Sequence, residues 1–224
     1  MIRGLIFDFD GLILDTEVPE LQSWQEVYQE HGCCLAIEDW NSCIGIGWHE
    51  IKFNPYDDLE IKAKRAINRD SIQSRRRQRF ADLVAEQSAL PGVTDYIRDA
   101  RRLGLKVAVA SSSPLSWIAT HLERLELLNE FECIRSADDV RQTKPHPEVY
   151  LLALAALQVS ASEAVAFEDS PNGIAAAREA GIYTVAVPNA VTSGLDLEKA
   201  NLRLGSLEEM SLEDLIGSIS QRVN

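Results

Sequence analysis

The stretch FDFDGLILDTE, residues 7–17, lies almost at the start of the chain and contains four acidic residues. It continues the apolar run GLIF (4–7) and places Asp8 and Asp10 two residues apart. Carboxylates that are buried close together repel each other, and each charge costs several kcal/mol unless another group compensates it. The rest of the sequence should therefore contain the groups that compensate these two acids.

Composition limits the class of protein and of partner. The chain has 224 residues, of which 46% are apolar and 25% charged, enough for one large domain or a domain with an insertion. The net charge of −13 argues against a nucleic-acid surface but allows a local site for a small phosphorylated ligand. The four cysteines form no CxxC pair, and LLALAALQV (151–159) is too short to cross a membrane. We expect a cytoplasmic monomer without a nucleic-acid or membrane partner.

Short apolar runs alternate with helical patterns over most of the chain. The predicted strands are 4–9, 105–111, 131–137, 164–168 and 182–187. The predicted helices between them are 93–103, 115–127, 148–157 and 174–180, with Gly104 and Gly181 at C-cap positions. Strands that are apolar throughout are typical of a sheet covered on both faces. The pattern predicts an α/β fold with a doubly wound parallel sheet.

Residues 15–88 interrupt this alternation. They contain three helical patterns and no strong strand, and the chain returns to the sheet through the turn SALPGV (88–93). We therefore predict a core domain formed by residues 1–14 and 89–224, with an all-helical domain inserted at 15–88.

Polar residues follow three of the predicted strands. Asp8 and Asp10 end the first, Ser111–Ser113 end the second, and Glu168–Asp169 end the fourth. Lys144 lies in TKPHPE (143–148), just before a predicted helix. Ligands of open α/β sheets bind at the carboxyl ends of the strands, so we expect these side chains to meet at one edge of the sheet.

This set of residues predicts phosphoryl chemistry. Several oxygen ligands without histidine or cysteine suit a hard cation, most naturally Mg²⁺. The cation would keep Asp8 ionised as a nucleophile, while a hydroxyl and a lysine suit the phosphoryl oxygens. Asp10 could then protonate the leaving oxygen and later deprotonate water.

Four motifs in order resemble those of the haloacid dehalogenase superfamily, and the resemblance covers the chain except the helical insert. The motifs are DFDGLILDT (8–16), VAVASSS (107–113), Lys144 in TKPHP, and EDSPNGIAAAREAG (168–181). The resemblance is to the subgroup of β-phosphoglucomutase and small sugar-phosphate phosphatases. It implies a Rossmann-like core whose insert is a helical C1 cap that opens and closes over the site.

The resemblance also implies roles for individual residues. Asp8 would form an aspartyl-phosphate, and Asp10 would be the general acid and base. Ser111 and Lys144 would hold the transferring phosphoryl group. The implied Mg²⁺ ligands are Asp8, the Asp10 backbone carbonyl, Asp169, and Glu168 either directly or through water.

Three further residues are candidates for binding the substrate or its phosphate: Glu17, Ser112 and Arg76. Arg76 belongs to the run RRRQR (75–79), and it shares a helix side with Ile72 and Phe80 at i±4. The serines before Pro114 have a second interpretation, in which Ser112 or Ser113 caps the following helix.

The sequence of the insert helps to distinguish a phosphatase from a mutase. As the resemblance has it, a mutase uses a cap histidine at the position of Glu20 and an arginine in the segment CIGIGWHEIKF (43–53), which has none here. His49 or Lys52 could replace that arginine only in part. We therefore predict an Mg²⁺-dependent phosphatase of small phosphorylated metabolites, with sugar phosphates as the expected class. The alternatives are a phosphosugar mutase and a non-enzymatic phospho-acceptor or binding protein.

Overall fold

The structure is a computed structural model, and it describes residues 1–41 and 53–222. Its strands are β1 (Gly4–Phe7), β2 (Lys106–Ala110), β3 (Cys133–Arg135), β4 (Ala164–Glu168), β5 (Tyr183–Ala186) and β6 (Leu202–Arg203). Its helices are α1 (Glu17–Glu30), α2 (Ile37–Asn41), α3 (Pro55–Ala63), α4 (Arg69–Ala85), α5 (Val93–Arg102), α6 (Leu115–Arg124), α7 (Glu148–Leu157), α8 (Pro171–Glu179) and α9 (Leu212–Arg222).

The six strands form one parallel sheet in the order β3-β2-β1-β4-β5-β6. This confirms the predicted α/β class with a doubly wound sheet. Strand β1 lies between β2 and β4, so the residues after β1 emerge beside the ends of both neighbours. The two-residue β6 was not predicted, because no sustained apolar run marks it, and helix α9 was not predicted either.

The two faces of the sheet carry side chains of different size. Leu5 and Phe7 of β1 pack with α5, α6 and α9, whereas Ile6 packs with α7 and α8. The second face is rich in alanine from β2 and β4, which allows α7 and α8 to approach closely. Both faces are covered, as the continuous apolar runs predict.

Helices α1 to α4 follow β1 and share a hydrophobic cluster, to which Val191 from the loop after β5 also belongs. Trp24 and Tyr28 of α1 pack in it against Leu59 of α3 and Ile72 of α4. The division into a core of residues 1–14 and 89–224 and a helical insert at 15–88 stays a prediction. Residues 43–52 of the CIGIGWHEIKF segment, including His49 and Lys52, lie outside the described residues.

The helix ends differ slightly from the predicted ones. Gly104 and Gly181 have φ of +69° and +80°, the left-handed conformation that a glycine accepts after a helix. Helix α8 begins at Pro171, three residues before the predicted start, because proline is tolerated in the first turn and Ser170 caps it. Among the described helices, none has the length and apolarity that crossing a membrane would need.

Candidate active site

A buried lysine lies between two buried carboxylates at the carboxyl edge of the sheet. Lys144 Nζ is 2.6 Å from Asp8 Oδ1 and 2.6 Å from Glu168 Oε1. Tyr150 of α7 donates its hydroxyl hydrogen to the same Glu168 oxygen, and its ring lies 5.0 Å from the lysine nitrogen. Lys144 is thus one of the groups that compensate the acids after β1.

Two glycines allow the backbone to approach these carboxylates. A Cβ at Gly173 would lie 1.8 Å from Glu168 Oε2, so any other residue would collide with that side chain. A Cβ at Gly11 would lie 2.3 Å from Asp169 Oδ2, and the φ of Gly11 is +79°. Both glycines belong to the motifs quoted above. The side chains of Glu168 and Asp169 occupy the space that a Cβ at these glycines would need.

Asp169 completes an acidic cluster. Carboxylate oxygens of Asp8, Glu168 and Asp169 all lie within 4.8 Å of one another, and the three residues are buried. Asn189, in the loop after β5, donates to Asp169 Oδ2 over 2.8 Å and to the Gly11 carbonyl over 3.1 Å. A cluster of hard oxygen donors with one positive neighbour is the donor set that a divalent hard cation prefers.

Asp10 lies beside this cluster, but its side chain has different partners. Ser113 Oγ donates to Asp10 Oδ2 over 2.6 Å, and the Trp117 indole Nε1 donates to Oδ1 over 2.9 Å. Ser111 Oγ is 3.4 Å from Oδ2, and it accepts the Ser113 backbone N–H over 3.0 Å. The two aspartates therefore have separate environments, one facing a lysine and the other facing neutral donors.

The alternative interpretation of the serines as helix caps was wrong. The α6 N-terminus has Pro114 at the N-cap position, and the Leu115 N–H bonds to the Asp138 carboxylate over 2.9 Å. Ser112 is exposed and accepts the Lys144 backbone N–H over 3.3 Å. The serines are consequently available to the site.

Burial raises the pKa of the clustered acids. It raises the pKa of Glu168 to about 7, and the charge of Asp8 adds to this, whereas Lys144 and Tyr150 oppose it. Burial and the charges of Asp8, Glu17 and Glu168 raise the pKa of Asp169 well above its usual range. Burial also raises the pKa of Asp8 despite the attraction of Lys144. Burial alone would lower the pKa of Lys144, but Asp8 and Glu168 raise it overall.

A cleft of about 1020 Å³ lies over the site, and its lining includes Asp8, Asp10, Lys144 and Asp169. Of the candidates for contacting the substrate, Glu17 and Ser112 line it. Arg76 does not line the cleft; its guanidinium is 2.7 Å from Glu20 Oε2 and lies 4.8 Å from the Trp24 ring. The neighbouring Arg77 and Glu20 do line it. The assignment of Arg76 to substrate binding stays a prediction, and in this structure the packing of α4 on α1 places its guanidinium against Glu20.

Three residues in or around the site were not predicted: Trp117, Tyr150 and Asn189. Ser113 was expected at this sheet edge, but its hydrogen bond to Asp10 was not predicted. Asn189 had a usable signal, since it follows β5 at the same sheet edge as the predicted acids. Tyr150 and Trp117 lie within helices, where their side-chain directions depend on packing that the sequence pattern does not specify.

A family model described as haloacid dehalogenase-like hydrolase matches residues 5–187. The chain belongs to the haloacid dehalogenase-like hydrolases. The match begins in β1 and ends just after β5, so it spans every element that supplies an acid, a serine or the lysine of the site.

Similar proteins cover the chain almost completely. A Bacillus subtilis (strain 168) protein named "Putative phosphatase YhcW" is 44% identical over 99% of this chain and 100% of its own length. The "Phosphorylated carbohydrates phosphatase" of Thermotoga maritima is 28% identical over 98% of this chain and 99% of its own. The crystal structure of CbbY from Rhodobacter sphaeroides in complex with phosphate shares 28% identity, with a TM-score of 0.73 and coverage of 96% and 100%.

Proposed function

We propose that the protein is an Mg²⁺-dependent phosphatase of small phosphorylated metabolites that acts through an aspartyl-phosphate at Asp8. The observation that carries the proposal is the buried contact of Asp8 with Lys144, next to Glu168 and Asp169, at the floor of the cleft. Family membership and the phosphatases among its relatives support a phosphoric monoester hydrolase.

The acidic cluster fits Mg²⁺. The carboxylates of Asp8 and Asp169 would hold the cation together with the Asp10 backbone carbonyl, and Glu168 would support it directly or through water. Burial and mutual repulsion raise the pKa values of the three clustered acids, and Lys144 is a cation among the described residues that contacts two of them. A divalent cation would therefore stabilise their ionised forms. When bound, the cation supplies charge stabilisation to the phosphoryl oxygens.

Four residues have distinct roles in the proposed reaction: Asp8, Asp10, Lys144 and Ser111. An Asp8 oxygen attacks phosphorus, and the bond from phosphorus to the leaving oxygen breaks while Asp10 gives that oxygen its proton. Lys144 and Ser111 hold the transferring phosphoryl group. Water next attacks phosphorus and gives a proton to Asp10, the bond between Asp8 and phosphorus breaks, and inorganic phosphate leaves.

The charge of the cleft favours hydrolysis of monophosphates over the mutase alternative. Its described lining has acidic residues at Glu17 and Glu20 beyond the catalytic acids, and Lys144 and Arg77 are its described cations. Burial and the Asp10 charge raise the pKa of Glu17 to about 7. A second phosphate would meet these carboxylates, whereas the hydroxyls of a sugar or polyol can donate to them. We therefore propose polyol or sugar monophosphates as the substrate class.

A substrate panel tests this function. Purified protein with Mg²⁺ should release inorganic phosphate from hexose, pentose and hexitol monophosphates, and EDTA should abolish the release. A hexose bisphosphate should be a poorer substrate. If no phosphate ester in a broad panel is hydrolysed, the proposal fails. Conversion of β-glucose 1-phosphate in the presence of a bisphosphate primer, without phosphate release, would support the mutase instead.

Neutralising Asp169 tests the metal centre through stability. Its pKa in the folded protein is raised, so the stability it contributes is present below its unfolded pKa and is lost as pH rises through the folded value. At neutral pH in EDTA, Asp169→Asn should therefore raise the free energy of unfolding by about 1 to 3 kcal/mol. The asparagine oxygen can still accept from Asn189.

Mg²⁺ should stabilise the wild type, and this effect should be lost in the variant. Thermal unfolding with and without Mg²⁺ measures both effects, with the exposed Asp196→Asn as the matched control. An equal Mg²⁺ response in wild type and Asp169→Asn would contradict the proposed metal site.

A further inference from the structure

Asp10 is fixed by a side chain for which the proposed function has no role. The Trp117 indole, from the first turn of α6, donates its N–H to Asp10 Oδ1 over 2.9 Å. Ser113 donates to the other oxygen, Oδ2, over 2.6 Å. Both carboxylate oxygens thus have a donor, Ser111 Oγ makes a longer contact of 3.4 Å with Oδ2, and all three groups come from the segment after β2.

Neighbouring rings hold the indole in place. Phe80 of α4 stacks on Trp117 with a centroid distance of 5.7 Å and an interplanar angle of 13°. His121, one helical turn further along α6, meets it edge to face at 4.2 Å. His121 is buried, its Nδ1 has no hydrogen-bond partner among the described residues, and burial lowers its pKa. It therefore packs as a neutral ring, and the indole has little freedom to turn away from Asp10.

The Trp117 indole and the Ser113 hydroxyl differ in whether they can face a protonated carboxyl oxygen. An indole N–H can only donate, so it favours an unprotonated Oδ1. A serine hydroxyl can donate or accept, so Oδ2 can sit beside Ser113 with or without a proton. The geometry consequently distinguishes the two oxygens of Asp10, which a solvated carboxyl group would not do.

We propose that Trp117 is a positioning residue that confines the transferable proton of Asp10 to Oδ2. This inference rests on the proposed function, in which Asp10 protonates the leaving oxygen. Without the indole, the carboxyl group could rotate and present either oxygen, and fewer complexes would have the proton directed at the leaving group.

Phe80 connects the Trp117 indole to the predicted helical insert. It lies on α4, whereas Trp117 lies on α6, which follows β2. Packing of α4 against α6 through these two rings would thus help to hold the indole against Asp10. A smaller apolar residue at Phe80 should weaken the positioning and leave the indole hydrogen bond possible.

Trp117→Phe tests the inference, since it keeps an aromatic ring and removes only the donor and part of its area. The probes are p-nitrophenyl phosphate, whose leaving group needs little protonation, and the alkyl phosphate that the wild type hydrolyses fastest. The ratio kcat/KM reports the steps up to cleavage of the ester. For the alkyl ester it should fall by about 10- to 100-fold, and for the aryl ester by less than about threefold.

Two further variants make the result interpretable. Trp40→Phe removes a buried indole whose nitrogen has no hydrogen-bond partner among the described residues, and it should leave the alkyl-to-aryl ratio unchanged. Phe80→Leu should shift that ratio in the same direction as Trp117→Phe but less, and it preserves a test if Trp117→Phe unfolds.

Equal losses for the two esters in Trp117→Phe, or in Phe80→Leu when the first variant unfolds, would overturn the positioning role. A wild-type protein that hydrolyses neither ester would instead refute the proposed function itself.

Discussion

Asp8→Asn should lower the turnover of every phosphate substrate by about 10⁴-fold or more. Asparagine has nearly the shape of aspartate and can still accept from Lys144, but its amide oxygen is a poor nucleophile. The loss should appear in kcat for alkyl and aryl esters alike, because the new bond to phosphorus forms in both reactions. Initial rates of phosphate release measure it, and thermal unfolding checks that the variant is folded.

Asp15→Asn is the matched control, since it makes the same change in the same loop. Asp15 Oδ1 accepts the Val18 N–H over 3.0 Å, which an asparagine oxygen can also do, so activity should stay within about threefold of the wild type. If Asp8→Asn retained a tenth or more of wild-type activity, Asp8 would not be the nucleophile.

Lys144→Met should have the largest effect on stability. Its ammonium group is 2.6 Å from both Asp8 and Glu168, and the side chains of all three residues are almost completely buried. Removing it leaves the clustered carboxylates without that charge, which should cost about 3 to 5 kcal/mol at neutral pH in EDTA. Turnover should also fall sharply, because the phosphoryl group loses its cationic partner. Denaturant unfolding and phosphate release measure the two effects.

The stability loss should depend on pH. The folded pKa of Glu168 is about 7 even with Lys144 present, so this acid is mostly protonated at about pH 5 and mostly ionised at about pH 8. The difference between wild type and Lys144→Met should therefore grow as pH rises through this window. Lys106→Met is the control, since Lys106 bonds to the neutral Leu157 carbonyl. A loss in Lys144→Met that matches this control and does not change with pH would contradict the compensating role of Lys144.

The fold was largely predictable because its main strands are buried on both faces. Continuous apolar runs such as AVAFE (164–168) indicate such strands without tertiary information, and β4 has the predicted bounds. The two residues of β6 gave no comparable signal, since they are placed by pairing with β5 rather than by their own composition.

The site was more predictable where residues follow strands than where they lie on helices. Asp8, Lys144, Glu168 and Asp169 meet because parallel strands end at one edge. Periodicity identifies the apolar side of α4, yet it does not say which neighbouring arginine faces the cleft. Arg76 pairs with Glu20, whereas Arg77 lines the cleft. Consecutive residues of a helix point about 100° apart, so the packing of α4 on α1 decides which of the two arginines faces the cleft.

Trapping the phosphorylated residue tests whether Asp8 is the nucleophile. With p-nitrophenyl phosphate and Mg²⁺, Asp10→Asn should still be phosphorylated, because nitrophenolate needs no proton, but it should lose the base that activates water. Rapid quenching should then show a burst of about one nitrophenol per protein. Borohydride reduction of the quenched protein should convert residue 8 to homoserine, detected by peptide mass spectrometry. Turnover of a competent substrate with modification at another residue, or with none at residue 8, would contradict catalysis through phospho-Asp8.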